Sequence, residues 1–285
     1  MKKLFVFILF ISFQLPFLFA QQISPKDDDV MKVLAIGNSF SEDGIENYLY
    51  DLAKAAGKKM VIGNLYIGGA PIELHLKNAH NNLKAYSYRK VGEDGIKKTT
   101  DKVSIEEALA DDNWDYISLQ QASPLSGKYN VVMRGLPDLW TYVFAHMNPD
   151  SKMVYHQTWA YQQDSKHEGF KNYDGQQLVM YDSIMNVTSQ IAKTGDYEFV
   201  VPAGTAIQNA RTSSIGDHMT RDGYHMNLDY GRFTAAATWY AKLFNLDPRK
   251  NKYKPEKITD IQAKIAKESA WKAIKKPFKI TKVKK

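Results

Sequence analysis

Cysteine is absent from all 285 residues. That excludes a disulfide framework, a thiol nucleophile and a lipid attached at a mature N-terminal cysteine. Long apolar runs are nearly absent too. After an uncharged, mostly apolar stretch at residues 4–19 no comparable one follows, and this one falls short of the roughly 20 residues that a membrane span needs. Lys2 and Lys3 precede it and Ala20 closes it ahead of Gln21 and Gln22, the layout of a secretory signal cut after Ala20. A periplasmic or secreted protein without stable membrane insertion is expected. His75 and His156 lack partners at metal-ligand spacing, and no metal or other cofactor is expected. The segment from Lys272 to Lys285 has no acidic residue in a chain of formal charge +7. No recognition motif accompanies that charge, so a solvated basic terminus is the simpler reading and no nucleic-acid partner is expected.

What is present suits one α/β domain: 44% of the residues are hydrophobic, enough for a full core at this length. After the signal at residues 1–20, residues 21–29 read as a polar linker, 30–248 as the α/β domain, and 249–285 as a basic C-terminal extension with an outer helix at 258–274. Strands are expected at 30–36, 60–67, 114–120, 153–158 and 198–201, each followed by a helical pattern. The apolar spacing of Ile45, Leu49, Leu52, Ala53 and Ala56 predicts a helix over 44–56. Residues 86–90 and 96–100 read as a hairpin beside the sheet, and 159–175 as a polar, aromatic surface loop. Alternating strands and helices imply a parallel sheet of about five strands covered on both faces, a flavodoxin-like three-layer α/β/α sandwich.

In such a sheet the ligand crevice lies beyond the carboxyl ends of the strands. The residues collected there are Gly37-Asn38-Ser39, Gly68-Gly69, Gln120-Gln121, Thr158-Trp159, and Asp222 with His225. Ser39 can attack an acyl carbon once His225 takes its proton, and Asp222 can hold the imidazole tautomer. The order Ser, Asp, His is that of triads on α/β hydrolase sheets. Backbone amides of Ser39 and Gly69 can face the developing oxyanion, with a glutamine amide as third donor. Plainer readings exist for each. Ser39 can be a helix cap, and Asp222 with His225 a structural turn pair. Trp159 and Tyr161 can be a platform for a sugar or acyl group, or core caps. His75 can reach the crevice or pack its helix, and His156 reads as a buried, hydrogen-bonded residue.

These blocks resemble the SGNH or GDSL-type hydrolases, over roughly residues 30–243. Gly37-Asn38-Ser39-Phe40-Ser41 is similar to the first block with Asn38 for the usual Asp, Gly69 to the glycine block, and Asp222-Gly223-Tyr224-His225 to the Asp-x-x-His block. The resemblance implies a triad of Ser39, Asp222 and His225, with oxyanion amides from Ser39 and Gly69. The third block departs from it: Leu119-Gln120-Gln121-Ala122-Ser123 replaces Gly-x-Asn-Asp. Gln120 is the expected oxyanion donor on chemical similarity alone, with Gln121 next. The variant blocks are similar to a divergent bacterial branch of the superfamily. The expected function is an exported serine esterase removing O-acyl groups, acetyl above all, from a carbohydrate, with substrate contacts from Trp159, Tyr161, Gln121 and His75. The alternatives are a lipase, lysophospholipase or thioesterase of the same fold, and a glycan-binding protein on a hydrolase scaffold. The sequence does not fix the oligomeric state.

Overall fold

Val33 to Ile36 are buried on both faces of a strand, and the architecture follows from covering them. The computed structural model describes residues 29–284, so the expected signal, its expected cleavage point and most of the expected linker lie outside the described residues. In chain order the elements are β1 (Val30–Gly37), α1 (Ser39–Ile45), α2 (Leu49–Ala55), β2 (Lys59–Tyr66), α3 (Ile72–His80), β3 (Tyr86–Val91), β4 (Lys97–Val103) and α4 (Ile105–Ala110). They continue with β5 (Tyr116–Leu119), α5 (Tyr129–His146), β6 (Lys152–His156), α6 (Gln177–Thr194), β7 (Phe199–Val201), α7 (Ala203–Arg211), α8 (Tyr230–Phe244) and α9 (Asp260–Lys275).

The strands form one sheet in the order β4-β3-β2-β1-β5-β6-β7. β2, β1, β5, β6 and β7 are parallel, and β3 and β4 join the β2 edge antiparallel. The expected hairpin is therefore part of the sheet rather than beside it. Its outer strand carries Lys97, Lys98, Asp101 and Lys102, charges that keep an open edge from pairing with another chain. Alternation along β1 splits the core. Leu34 and Ile36 pack with Ile72, Leu136 and Val143 from α3 and α5, while Val33 and Ala35 pack with Leu52, Phe233 and Ala266 from α2, α8 and α9.

Two departures from the sequence pattern bear on the site. The first helix starts at Ser39 rather than residue 44, and it breaks before α2 at Tyr48, whose φ is 63°. The break is held by Asn47 Nδ2 donating to the Glu42 carbonyl at 3.1 Å and Tyr48 Oη donating to the Leu228 carbonyl at 3.1 Å. The second is the C-terminal extension, which is docked rather than solvated. Ile265 and Val283 join a third core cluster with Trp159, Tyr161 and Phe170. The Pro277 carbonyl accepts from Thr205 Oγ1 at 2.6 Å, and the Val283 amide donates to Thr212 Oγ1 at 2.9 Å. Burial of one Val or Ile side chain is worth about 1.5–3 kcal/mol, enough to offset ordering one or two residues of chain. Lys275, Lys276, Lys279 and Lys282 are exposed, whereas Lys267 is buried and its Nζ donates to the Asn251 carbonyl at 2.7 Å. The same cluster draws residues 159–161, expected on the surface, into the interior.

Candidate active site

β1 must turn sharply into α1, and Gly37 lets it. A Cβ there would lie 2.5 Å from Ser41 Oγ and 3.2 Å from Gln120 Cδ, closer than packed atoms approach. Asn38, 1% exposed, then caps α1 by accepting from the Phe40 amide at 3.0 Å. Because Asn38 is the cap, the Ser39 hydroxyl at the first helical position is left for another partner. Asn38 Nδ2 also donates to the Ala70 carbonyl at 3.0 Å, fastening the turn that contains Gly69, whose φ is +66°. Among the described residues neither the Ser39 nor the Gly69 amide meets a protein acceptor.

The partner of Ser39 comes from the loop before α8. Asp222 Oδ1 accepts from the amides of Tyr224 at 3.2 Å and His225 at 2.7 Å, which bends the loop back on its own carboxylate. Oδ2 then lies 2.6 Å from His225 Nδ1. A carboxylate accepts only, so Nδ1 carries the proton and Nε2 keeps its lone pair, 2.8 Å from Ser39 Oγ. Burial pushes the Asp222 carboxyl up, but the hydrogen bonds from His225 and Tyr224 outweigh it and hold the group below the usual carboxylate range. A hydroxyl donating to a neutral imidazole oriented by a carboxylate is the geometry of an activated nucleophile.

A second carboxylate fastens this loop to the serine helix. Asp43, one turn into α1 and 0% exposed, accepts from the Met226 amide at 2.8 Å and pairs with Arg232 Nε at 2.7 Å and Arg221 Nη1 at 3.2 Å. Arg221 also donates to the Met226 carbonyl at 2.6 Å. Both backbone groups of the residue after His225 are thus tied to the helix that begins with Ser39.

Ser39 and His225 open on a cleft of about 340 Å³, also lined by Phe40, Tyr66, Gly69, His167 and Tyr224. The other residues expected there stand behind its wall. Gln120 is 2% exposed: its Nε2 donates to Asn38 Oδ1 at 2.8 Å and its Oε1 accepts from His156 Nδ1 at 2.8 Å, so the amide supports the turn instead of facing an oxyanion. Gln121 Oε1 accepts from the amides of Ile72 at 3.0 Å and Ala122 at 2.8 Å. Trp159 stacks under Phe40 with ring centroids 4.3 Å apart and donates to the Tyr224 carbonyl at 2.8 Å. Tyr161 Oη lies 2.8 Å from Ser123 Oγ. His75 is enclosed, Nδ1 being 2.9 Å from Tyr86 Oη, and burial lowers its pKa to about 4. The core-cap and helix-packing readings describe where these side chains sit. Sequence reasoning missed Asp43 and His167. Asp43 had one local signal, its place four residues after the candidate serine on the same helix face.

Residues 32–273 match the model of DUF4886, a domain of unknown function. The chain belongs to the DUF4886 family. A DUF4886 protein of known structure from Bacteroides uniformis is 50% identical, with a TM-score of 0.88 over 90% of this chain and 98% of that one. A catalytic mutant of an acetylxylan esterase from Geobacillus stearothermophilus aligns over 75% of this chain and 94% of its own at 13% identity, with a TM-score of 0.50. At that distance the likeness concerns the fold alone, a central, mostly parallel sheet of seven strands with helices around it. No curated protein matches the chain. Among the described residues no helix is long and apolar enough to cross a membrane.

Proposed function

We propose that this DUF4886 protein is an exported serine esterase that removes short acyl groups, acetyl above all, from hydroxylated substrates of the carbohydrate class. The observation that carries the reading is the continuous chain Ser39 Oγ, His225 Nε2, His225 Nδ1, Asp222 Oδ2, with contacts of 2.8 and 2.6 Å, opening on a cleft. Ser39 attacks the ester carbonyl as His225 takes its proton, and the imidazolium that forms is stabilised by Asp222. The oxyanion is met by the amides of Ser39 and Gly69, which among the described residues have no protein acceptor. His225 then protonates the departing alcohol, and water activated by the same ring releases the acyl group. The modest cleft of about 340 Å³, with Ser123, His167 and Tyr224 among its lining, favours a short acyl chain on a polar alcohol over a lipid. Export rests on the Lys2, Lys3 and Ala20 pattern at the N-terminus.

The Ser39→Ala variant tests the reading. Hydrolysis of 4-nitrophenyl acetate is expected to fall by 10³-fold or more with the melting temperature unchanged, because the hydroxyl does not cap α1. Undiminished turnover by the variant would sink the assignment, and a faster wild-type rate on the octanoyl than on the acetyl ester would move the substrate to the lipid class.

A further inference from the structure

His167 lines the cleft beside Ser39 and His225 and takes no part in the chemistry above. It precedes a short 3-10 turn, Glu168–Tyr173, in the segment between β6 and α6. Its Nδ1 accepts from the Gly169 amide at 3.0 Å. That nitrogen therefore holds a lone pair, and the proton of the neutral ring sits on Nε2. The ring is fixed by aromatic neighbours, its centroid 4.9 Å from Tyr161 and 4.6 Å from Tyr224. Burial, and after it the charge of His225, lower its pKa against the opposing pull of Asp222 and Glu168. Among the described residues its Nε2 has no acceptor, so the cleft contains a donor of settled tautomer that the protein itself does not use.

Tyr224 lies between this donor and the base, its ring centroid 4.1 Å from that of His225. The part of a substrate that the base must reach is the oxygen of the departing alcohol. His167 lines the same cleft as the base, with the Tyr224 ring in contact with both imidazoles. A neutral donor with one N–H suits an uncharged oxygen such as a hydroxyl, and a simple alcohol gives it nothing to hold.

We propose that the Nε2–H of His167 binds a hydroxyl next to the scissile ester and so selects esters of polyhydroxylated alcohols, of which sugar units are the common kind. The assignment rests on the esterase reading. Two variants separate the donor from its structural setting. His167→Asn keeps an acceptor for the Gly169 amide and removes the distal N–H, whereas His167→Gln returns an N–H near the Nε2 position. Both are compared with wild type on 4-nitrophenyl acetate, which carries no hydroxyl, and on a mono-O-acetylated methyl xyloside. His167→Asn is expected to lose roughly tenfold in kcat/KM on the xyloside, chiefly through KM. Its rate on 4-nitrophenyl acetate stays within about twofold, and His167→Gln recovers most of the loss. Equal losses on the two esters, or none on the xyloside, overturn the assignment and leave the Ser39 chemistry standing. A wild type inert toward both esters overturns the esterase reading and this assignment with it.

Discussion

His225 and His156 both donate through Nδ1 to a side chain beside the Ser39 turn, at 2.6 Å to Asp222 and 2.8 Å to Gln120. Their surroundings differ in charge and water. The side chain of His225 is 18% exposed and faces a carboxylate; His156 is fully enclosed, packed against Trp159 and Trp239, and faces a neutral amide. A carboxylate stabilises the imidazolium that forms when a ring accepts a proton, whereas an amide in a dry core does not. Burial accordingly lowers the pKa of His156 to about 3. One imidazole is equipped to move a proton. The other, through Gln120 and Asn38, only holds the turn that presents the serine.

Three experiments would break or sharpen that contrast. The largest effect is expected from Asp222→Asn, which removes the charge of the exposed pair and offers Nδ1 a donor in place of an acceptor. On the proposed mechanism kcat for an acetyl ester falls by about 10⁴-fold with little change in melting temperature; a loss below tenfold would mean that Asp222 only shapes the loop. Next is Gln120→Ala in the buried pair. It leaves His156 Nδ1–H without its acceptor and takes one donor from Asn38, for a stability loss of roughly 2–4 kcal/mol, read as the shift of the urea midpoint. An unchanged midpoint would mean that water fills the gap. The third experiment concerns pH dependence. His75 and His156 stay neutral in the fold down to about pH 4 and 3, while in the unfolded chain they take protons near pH 6.5. Their contribution is therefore complete above that value and is lost as the pH falls below it, at about 1.4 kcal/mol per pH unit for each ring. Asp222, held below its usual range, contributes to acid sensitivity only below about pH 4. Unfolding midpoints measured from pH 7.5 to 4.5 should fall accordingly, and a flat profile would show both rings to be solvated.

The contrast also marks what a sequence can carry. The β/α alternation, the Gly37-Asn38-Ser39 turn and the Asp222, His225 spacing are local patterns, and the structure brings Ser39 and His225 together across 186 positions. Gln120 was legible as a residue just past a strand, but not as one whose amide is consumed by Asn38 and His156, because those partners come from the turn after β1 and the end of β6. Trp159 and Tyr161 were placed correctly at the end of β6. They are buried in a third cluster that gathers residues as distant as Phe40, Ile265 and Val283, a long-range event with no trace in local periodicity. Asp43 shows the same limit: an acid next to Glu42 in a short polar helix reads as solvated until two arginines, 178 and 189 positions away, are seen to meet it.

The Asp43 clamp fixes the base from one side of its loop. It grips the loop immediately after His225, at Met226, so the imidazole is tethered from its C-terminal side to the helix that starts with the serine. From the other side the Asn227 amide donates to the Met219 carbonyl at 2.8 Å and Thr220 pairs with Met226, so the chain leading up to the base holds the same register. The imidazole is thus anchored before and after its own position, and the spacing between base and serine is carried by bonds that leave the cleft wall at Tyr66, Ser123 and His167 untouched.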